Sequence, residues 1–264
     1  MSATRDYVRE AADNGERRYA YDFDAVLRRY MIRAFRPFLP PGRAVEVGCY
    51  EGDFTVLLAP FYADLTVVDV LESALARTAK RVGTVRPVPG TVESIDLPAA
   101  SFDAAFLIHV LEHLDDPAAV LRRIGNWLRP NGRLFVACPN ANAASRQIAV
   151  KMELISHATA VTPGERAHGH RRTYTLDTLQ RDVRAAGLSV VHRGGVFFKA
   201  LANFQFDRLL TTDIIDAAYL DGCYELGTVY PDLCASIFLV CTPNLELDCL
   251  GAVGQSAGMP HRAA

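Results

Sequence analysis

The chain has 264 residues and no C-x-x-C pair: Cys49, Cys138, Cys223, Cys234, Cys241 and Cys249 are scattered, three of them in apolar strand-like runs. That spacing argues against zinc ribbons and disulfide frameworks and favours reduced thiols in a cytoplasmic core. Basic runs are missing too. Nothing exceeds Arg171-Arg172, and a net charge of −2 with a pI near 6.4 leaves no electrostatic footprint for nucleic acid. With neither a secretory leader nor an apolar stretch of membrane length, the expectation is a cytoplasmic protein with no nucleic-acid and no membrane partner. One glycine is also lacking: Gly48-x3-Gly52 has no third glycine, so the pyrophosphate cradle of a dinucleotide fingerprint is not there.

What is present begins with the apolar strand Ala44-Val45-Glu46-Val47, punctuated before by Pro40-Pro41-Gly42 and ended by Gly48. Glycine permits a sharp turn at that point, and Gly52 lets the following helix pack close to the strand and to a ligand. Free backbone N–H groups at such a helix start suit a carboxylate, a phosphate or a ribose hydroxyl. A second strand pattern, Leu65-Thr66-Val67-Val68, ends in Asp69, placed to accept both hydroxyls of a ribose. By spacing alone, this unit serves nicotinamide and adenosylmethionine chemistry equally well.

Two further segments separate those readings. Ser101-Phe102-Asp103-Ala104-Ala105-Phe106-Leu107-Ile108-His109-Val110-Leu111-Glu112-His113-Leu114-Asp115-Asp116-Pro117, followed by Leu128-Arg129-Pro130-Asn131-Gly132-Arg133-Leu134-Phe135-Val136, resembles class I S-adenosylmethionine-dependent methyltransferases. With Glu46-x-Gly48 and Asp69, the resemblance spans roughly residues 40–198 in the right order. Leu111-Glu112-His113-Leu114 and Cys138-Pro139-Asn140 are most similar to the ubiquinone-biosynthesis O-methyltransferase branch.

The alternation of apolar runs predicts strands near 43–48, 64–69, 85–89, 103–109, 132–138, 188–198 and 234–242, with helices near 52–61, 71–82, 116–128 and 175–187. The fold class is therefore α/β, a Rossmann-like doubly wound seven-stranded sheet, mostly parallel; the resemblance implies an antiparallel last strand. One methyltransferase domain is expected over 1–242. Its N-terminal helical segment, 1–39, carries Tyr19, Tyr21, Phe23, Tyr30 and Phe35 and reads either as a lid on the cofactor mouth or as packing on the sheet edge. Insertions at 140–173, with a helix over Gln147–Ile155, and at 200–232 should roof the site on the acceptor side. Residues 243–264 read as a disordered tail.

The resemblance implies S-adenosylmethionine as cofactor. It gives Glu46 the ordering of the glycine turn, Gly48, Tyr50 and Gly52 the neighbourhood of the methionine moiety, and Asp69 the ribose. Val70 and Leu71 would flank the adenine, with Thr91 and Val92 at the position of its amino contact. Tyr50 stands where many relatives have glycine. His109 would sit where the methyl group projects.

Transfer of a methyl group from a sulfonium requires an in-line acceptor, exclusion of water and removal of a proton. Histidine suits the last task. His109, His113 and His170 are the candidate catalytic residues, as base or acceptor anchor, with His168 in the same loop. A metal is not favoured, but His109-x-x-Glu112-His113 with His170 resembles the ligand pattern of metal-dependent methyltransferases, and a divalent ion on those four residues is the alternative. The contrasting reading makes Glu112 and Asp115 a charged cap on the next helix. Likewise Arg171 and Tyr174 either orient an acceptor or, with Thr173 capping the helix from Leu176, belong to a turn. His192 and His157 read as structural.

The function expected is methylation of a small molecule, foremost O-methylation of a sugar or specialised metabolite. An N- or C-methyltransferase, a non-catalytic adenosylmethionine-binding regulatory subunit and a nicotinamide oxidoreductase are the alternatives. The oligomeric state is not legible, although a dimer is compatible with the pattern.

Overall fold

The computed structural model describes residues 22–243; the expectations for the first part of the N-terminal segment, for Cys249 and for the tail lie outside them. Seven strands form one sheet: β1 (Arg43–Val47), β2 (Asp64–Asp69), β3 (Val85–Pro89), β4 (Phe102–Ile108), β5 (Leu128–Pro139), β6 (Leu188–Phe198) and β7 (Cys234–Pro243). Their order is β3-β2-β1-β4-β5-β7-β6. Only β7 runs antiparallel, against both β5 and β6. The order reverses beside β1, where β2 and β4 lead away to opposite sides, and that opens a crevice at the strand carboxyl ends.

Both sheet faces are covered, so the strands read as nearly continuous apolar runs. Alternation sorts their side chains. Val45, Val47, Ala105, Leu107, Leu134 and Val136 join one cluster, under α4 (Pro117–Trp127) and α7 (Leu176–Ala185). Ala44, Phe106, Phe135 and Val240 join the other, against α1 (Asp22–Phe35) and α2 (Thr55–Leu58). Between β2 and β3 runs α3 (Glu72–Val82).

The caps explain several boundaries. Asp116 accepts the Ala119 N–H with Pro117 in the first turn of α4, and Thr175 forms a reciprocal capping box with Thr178 at the start of α7. Thr173, expected to cap that helix, instead donates to the Thr159 carbonyl. Two lengths differ from expectation. The helix near 52–61 shrinks to Thr55–Leu58, because residues 50–54 are consumed by the turn, and β5 begins at Leu128 with a register shift against β4.

The first insertion holds α5 (Ala144–Lys151) and α6 (Pro163–Ala167). Its first helix begins three residues early and stops before Glu153, whose φ of 59° breaks the helical path. The second insertion holds α8 (Asn203–Leu209) and α9 (Ala217–Val229). Phe23 packs on Phe197 at 5.2 Å and on Phe206 at 4.6 Å, Tyr30 stacks on Tyr224, and Arg33 pairs with Asp221 and Glu225. The N-terminal helix is thus fastened to β6, α8 and α9, and Phe197 and Phe206 seal that seam.

Candidate active site

The turn after β1 is locked from three sides. Gly48 has φ 75°, and an added Cβ would lie 2.4 Å from Val110 Cγ2, so only glycine fits. Its N–H donates to the Val68 carbonyl at 2.8 Å. Tyr50, also left-handed at φ 46°, donates its N–H to Asp69 Oδ2 at 2.8 Å, and its carbonyl accepts the Thr78 hydroxyl at 2.8 Å. The backbone therefore takes the glycine path with a tyrosine in it, and the ring is left 36% exposed beside the cavity mouth.

Asp69 uses both oxygens on the main chain: Oδ1 accepts from Leu71 N–H at 3.0 Å. Burial raises its pKa, opposed by the N–H groups of Leu71 and Tyr50. The Asp69 carbonyl takes the Gly90 N–H, which brings the ends of β2 and β3 together. Val70, Thr91 and Val92 stand at those tips, beside the turn rather than in the cavity lining, and Val92 is buried against the core. Glu46 is buried inside the sheet, its Oε2 meets no donor, and burial pushes its pKa up to about 8.

In front of this turn lies a cavity of about 350 Å³. His109, His113, His168 and His170 all line it, together with Glu46, Gly48, Tyr50 and Glu112. His109 ends β4 in a left-handed conformation, φ 54°, and its Nε2 lies 2.9 Å from the hydroxyl of buried Ser236 on β7. Burial, then the charges of Arg28 and His170, depress its pKa to about 3.

A second cluster sits just beyond. His113 and His170 rings meet edge to face at 4.6 Å. Glu112 is fully buried, neither carboxyl oxygen makes a hydrogen bond of standard geometry, and burial holds its pKa up at about 8, opposed by the neighbouring Cys138 thiol. Ligand atoms of Glu112, His113 and His170 lie within 4.8 Å of one another. His170 arrives from a distant loop because Arg171 N–H donates to the Glu112 carbonyl, Arg171 pairs with Asp115 at 2.6 Å, and Arg172 donates to the carbonyls of Leu114 and Asp115. Burial lowers the His170 pKa, the Glu165 charge opposing.

Several sequence expectations are corrected. His109 stands outside the three-residue cluster, since its ring is committed to Ser236. Glu112 does not cap α4; that role belongs to Asp116. Tyr174 does not face the acceptor side: its side chain is in the core and its backbone bridges to Asn140. The structural reading of two other histidines needs no such change: His157 contacts Thr159, and the His192 ring packs on Phe38 and Phe238.

The cavity also contains residues that motif reading missed. Asp24, Leu27, Arg28 and Met31 form one face of α1 and line it, a helical spacing that marks a shared face. Lys199, Asn203 and Ser236 have no such signal. Only the tertiary fold brings them in.

The family described as methyltransferase domain matches residues 17–193. The chain belongs to that family, of the S-adenosylmethionine-dependent class. It is 33% identical over 123 residues to a ubiquinone biosynthesis O-methyltransferase of Xanthomonas campestris pv. campestris, covering 44% of this chain and 51% of that protein. Nodulation protein S of Rhizobium tropici is 36% identical over 109 residues, covering 39% of this chain and 46% of the relative. The chain thus matches about half the length of these curated relatives. Among solved structures, a Thermotoga maritima SAM-dependent methyltransferase, described as a possible histamine N-methyltransferase, superposes with a TM-score of 0.62 at 20% identity, over 89% of this chain and 98% of that one. This likeness supports the fold. Among the described residues no helix is long and apolar enough to cross a membrane.

Proposed function

We propose that the chain transfers the methyl group of S-adenosylmethionine to an oxygen of a small acceptor. The observation that carries this reading is the gathering of His109, His113 and His170 at one cavity, directly before the Gly48–Gly52 turn that Asp69 braces. The residues present fit the cofactor. Glu46 keeps an unpartnered oxygen on the cavity wall, and Asp69 stands at the tip of β2 where ribose hydroxyls would displace or share its main-chain bonds. Bound there, S-adenosylmethionine supplies a methyl group already activated by its sulfonium charge.

The chain's own groups divide the remaining work. Arg28, which among the described residues makes a 3.6 Å ion pair to Asp53, faces the turn from α1 and suits the carboxylate of the methionine moiety. Burial disfavours the charged form of His109, which suits it to anchoring the acceptor by hydrogen bonding; a base is most effective with a pKa near the operating pH. Proton removal falls to the His113–His170 pair. The 140–173 segment lines the acceptor side through Arg146, His168 and His170, and the 200–232 segment contributes Asn203.

One observation favours a second reading, in which a divalent ion is present. A buried carboxylate whose oxygens make no hydrogen bond of standard geometry, beside two imidazoles, is an arrangement that a cation would satisfy. Glu112, His113 and His170 would hold the ion, which would lower the pKa of an acceptor hydroxyl.

Calorimetry with S-adenosylhomocysteine and NAD tests the first reading. Binding of the former is expected, and binding of NAD alone would overturn it. Activity on supplied alcohols, phenols and amines then distinguishes O- from N-transfer, or from a silent binding subunit. Elemental analysis and chelation decide the second reading, since an enzyme active without metal excludes it.

A further inference from the structure

Lys199 follows β6 directly and is a charged side chain of the cavity that neither the turn nor the histidine cluster explains. It is 5% exposed, its Nζ donates to the Leu201 carbonyl at 2.7 Å, and it lies 5.4 Å from the centre of the Phe23 ring and 6.0 Å from that of Phe206. One of its three N–H donors is thereby used. None of the ion pairs among the described residues includes it.

Every other charge on the cavity wall has an account. Asp53 pairs with Arg81 at 2.6 Å and more loosely with Arg28, Glu165 pairs with Arg146, and Asp24 accepts the Asn203 amide at 3.0 Å. Glu46 lies buried behind the turn, where burial raises its pKa to about 8, and Glu112 belongs to the histidine cluster. A buried ammonium that makes no contact ion pair is costly, and the cost falls when a ligand brings the opposite charge against it. Burial lowers the Lys199 pKa to about 8, the Asp24 charge opposing.

Strand order says which ligand it would be. β6 lies four strands from β1 at the same sheet edge, roughly 19 Å at about 4.8 Å per strand, so Lys199 stands on the acceptor side rather than at the cofactor turn. A single ammonium balances one negative charge, and Leu27, Met31 and Ile108 among the lining residues suit an apolar body. A phosphate dianion would call for more donors than this end of the cavity offers.

We propose that Lys199 is an acceptor anchor and that the methyl acceptor carries a carboxylate. The acceptor half of this statement rests on the methyl-transfer reading. The carboxylate seats on Nζ from the cavity side, and the acceptor's reacting atom extends toward His109 and His113. Specificity at this site is therefore for hydroxy acids over their neutral counterparts.

The test uses ligand-observed NMR on the full chain, with and without S-adenosylhomocysteine. The probes are benzoate, phenylacetate, hexanoate and 3-hydroxybutyrate, each compared with its carboxamide. In the wild type at least one carboxylate should bind about tenfold or more tightly than its amide, and Lys199→Met should bring the two to parity with S-adenosylhomocysteine affinity unchanged. Lys199→Gln, which can still donate to the Leu201 carbonyl, serves if the methionine variant does not fold. No carboxylate preference in the wild type overturns the proposal, as does a preference that survives the substitution. A tenfold loss of S-adenosylhomocysteine affinity in the variant would assign Lys199 to the cofactor and also overturn it. Failure of the wild type to bind S-adenosylhomocysteine removes the methyl-transfer reading, while the carboxylate site is still judged on the protein alone.

Discussion

Asp69 Oδ2 accepts the backbone N–H of Tyr50 at 2.8 Å, so the carboxylate read as a ribose ligand also holds the preceding turn in shape. Both of its oxygens face N–H donors. Asp69→Asn would turn an amide N–H₂ toward one of them. S-adenosylhomocysteine affinity should fall roughly 10- to 100-fold, the loss expected for a hydrogen-bonded charged group. Calorimetry measures it, and an unchanged affinity would remove Asp69 from the cofactor site.

Gly48→Ala tests the turn itself. The positive φ costs about 1–2 kcal/mol, and contact with Val110 Cγ2 adds to it. Urea unfolding should show the full loss in the single variant and a partial recovery in Gly48→Ala/Val110→Ala, where the clash is relieved and the φ strain remains.

Glu46 predicts a pH dependence of stability in the cofactor-free protein. Its folded pKa, about 8, lies above the ordinary 4.5, so its contribution is full below pH 4.5 and is lost as pH rises toward 8. Glu46→Gln should match the wild type near pH 4.5 and exceed it at pH 9 by about 1 kcal/mol or more. Parallel melting curves of the two proteins across this range would contradict it.

His109 carries the opposite sign. Its folded pKa of about 3 lies below 6.5, so the stability it contributes is present above pH 6.5 and is lost as pH falls toward 3. Imidazole NMR shifts of His109 should stay constant from pH 8 to pH 5. A midpoint near 6.5 would mean that the ring is solvated and free to act as a base.

Much of the fold was legible because it rests on local pattern. Continuous apolar runs mark strands buried on both faces, Gly48 and Gly52 mark a turn that needs positive φ, and Asp116-Pro117 marks a helix start. The antiparallel β7 followed from resemblance, since no residue of Cys234–Pro243 encodes its direction. The helix expected at Gln147–Ile155 was displaced because Glu153 leaves the helical region, which a run of good helix formers does not announce.

The candidate site divides in the same way. By itself the sequence determined the residues next to their own strand ends, Glu46, Gly48, Asp69, His109 and His113, because strand, turn and side chain lie within a few positions of one another. Tertiary structure alone decided the partners. Arg171 and Arg172 carry His170 to His113, β7 brings Ser236 to His109, α1 contributes Arg28, and the end of β6 delivers Lys199. These pairs are separated by tens to hundreds of residues, and only packing around a shared sheet brings them into contact.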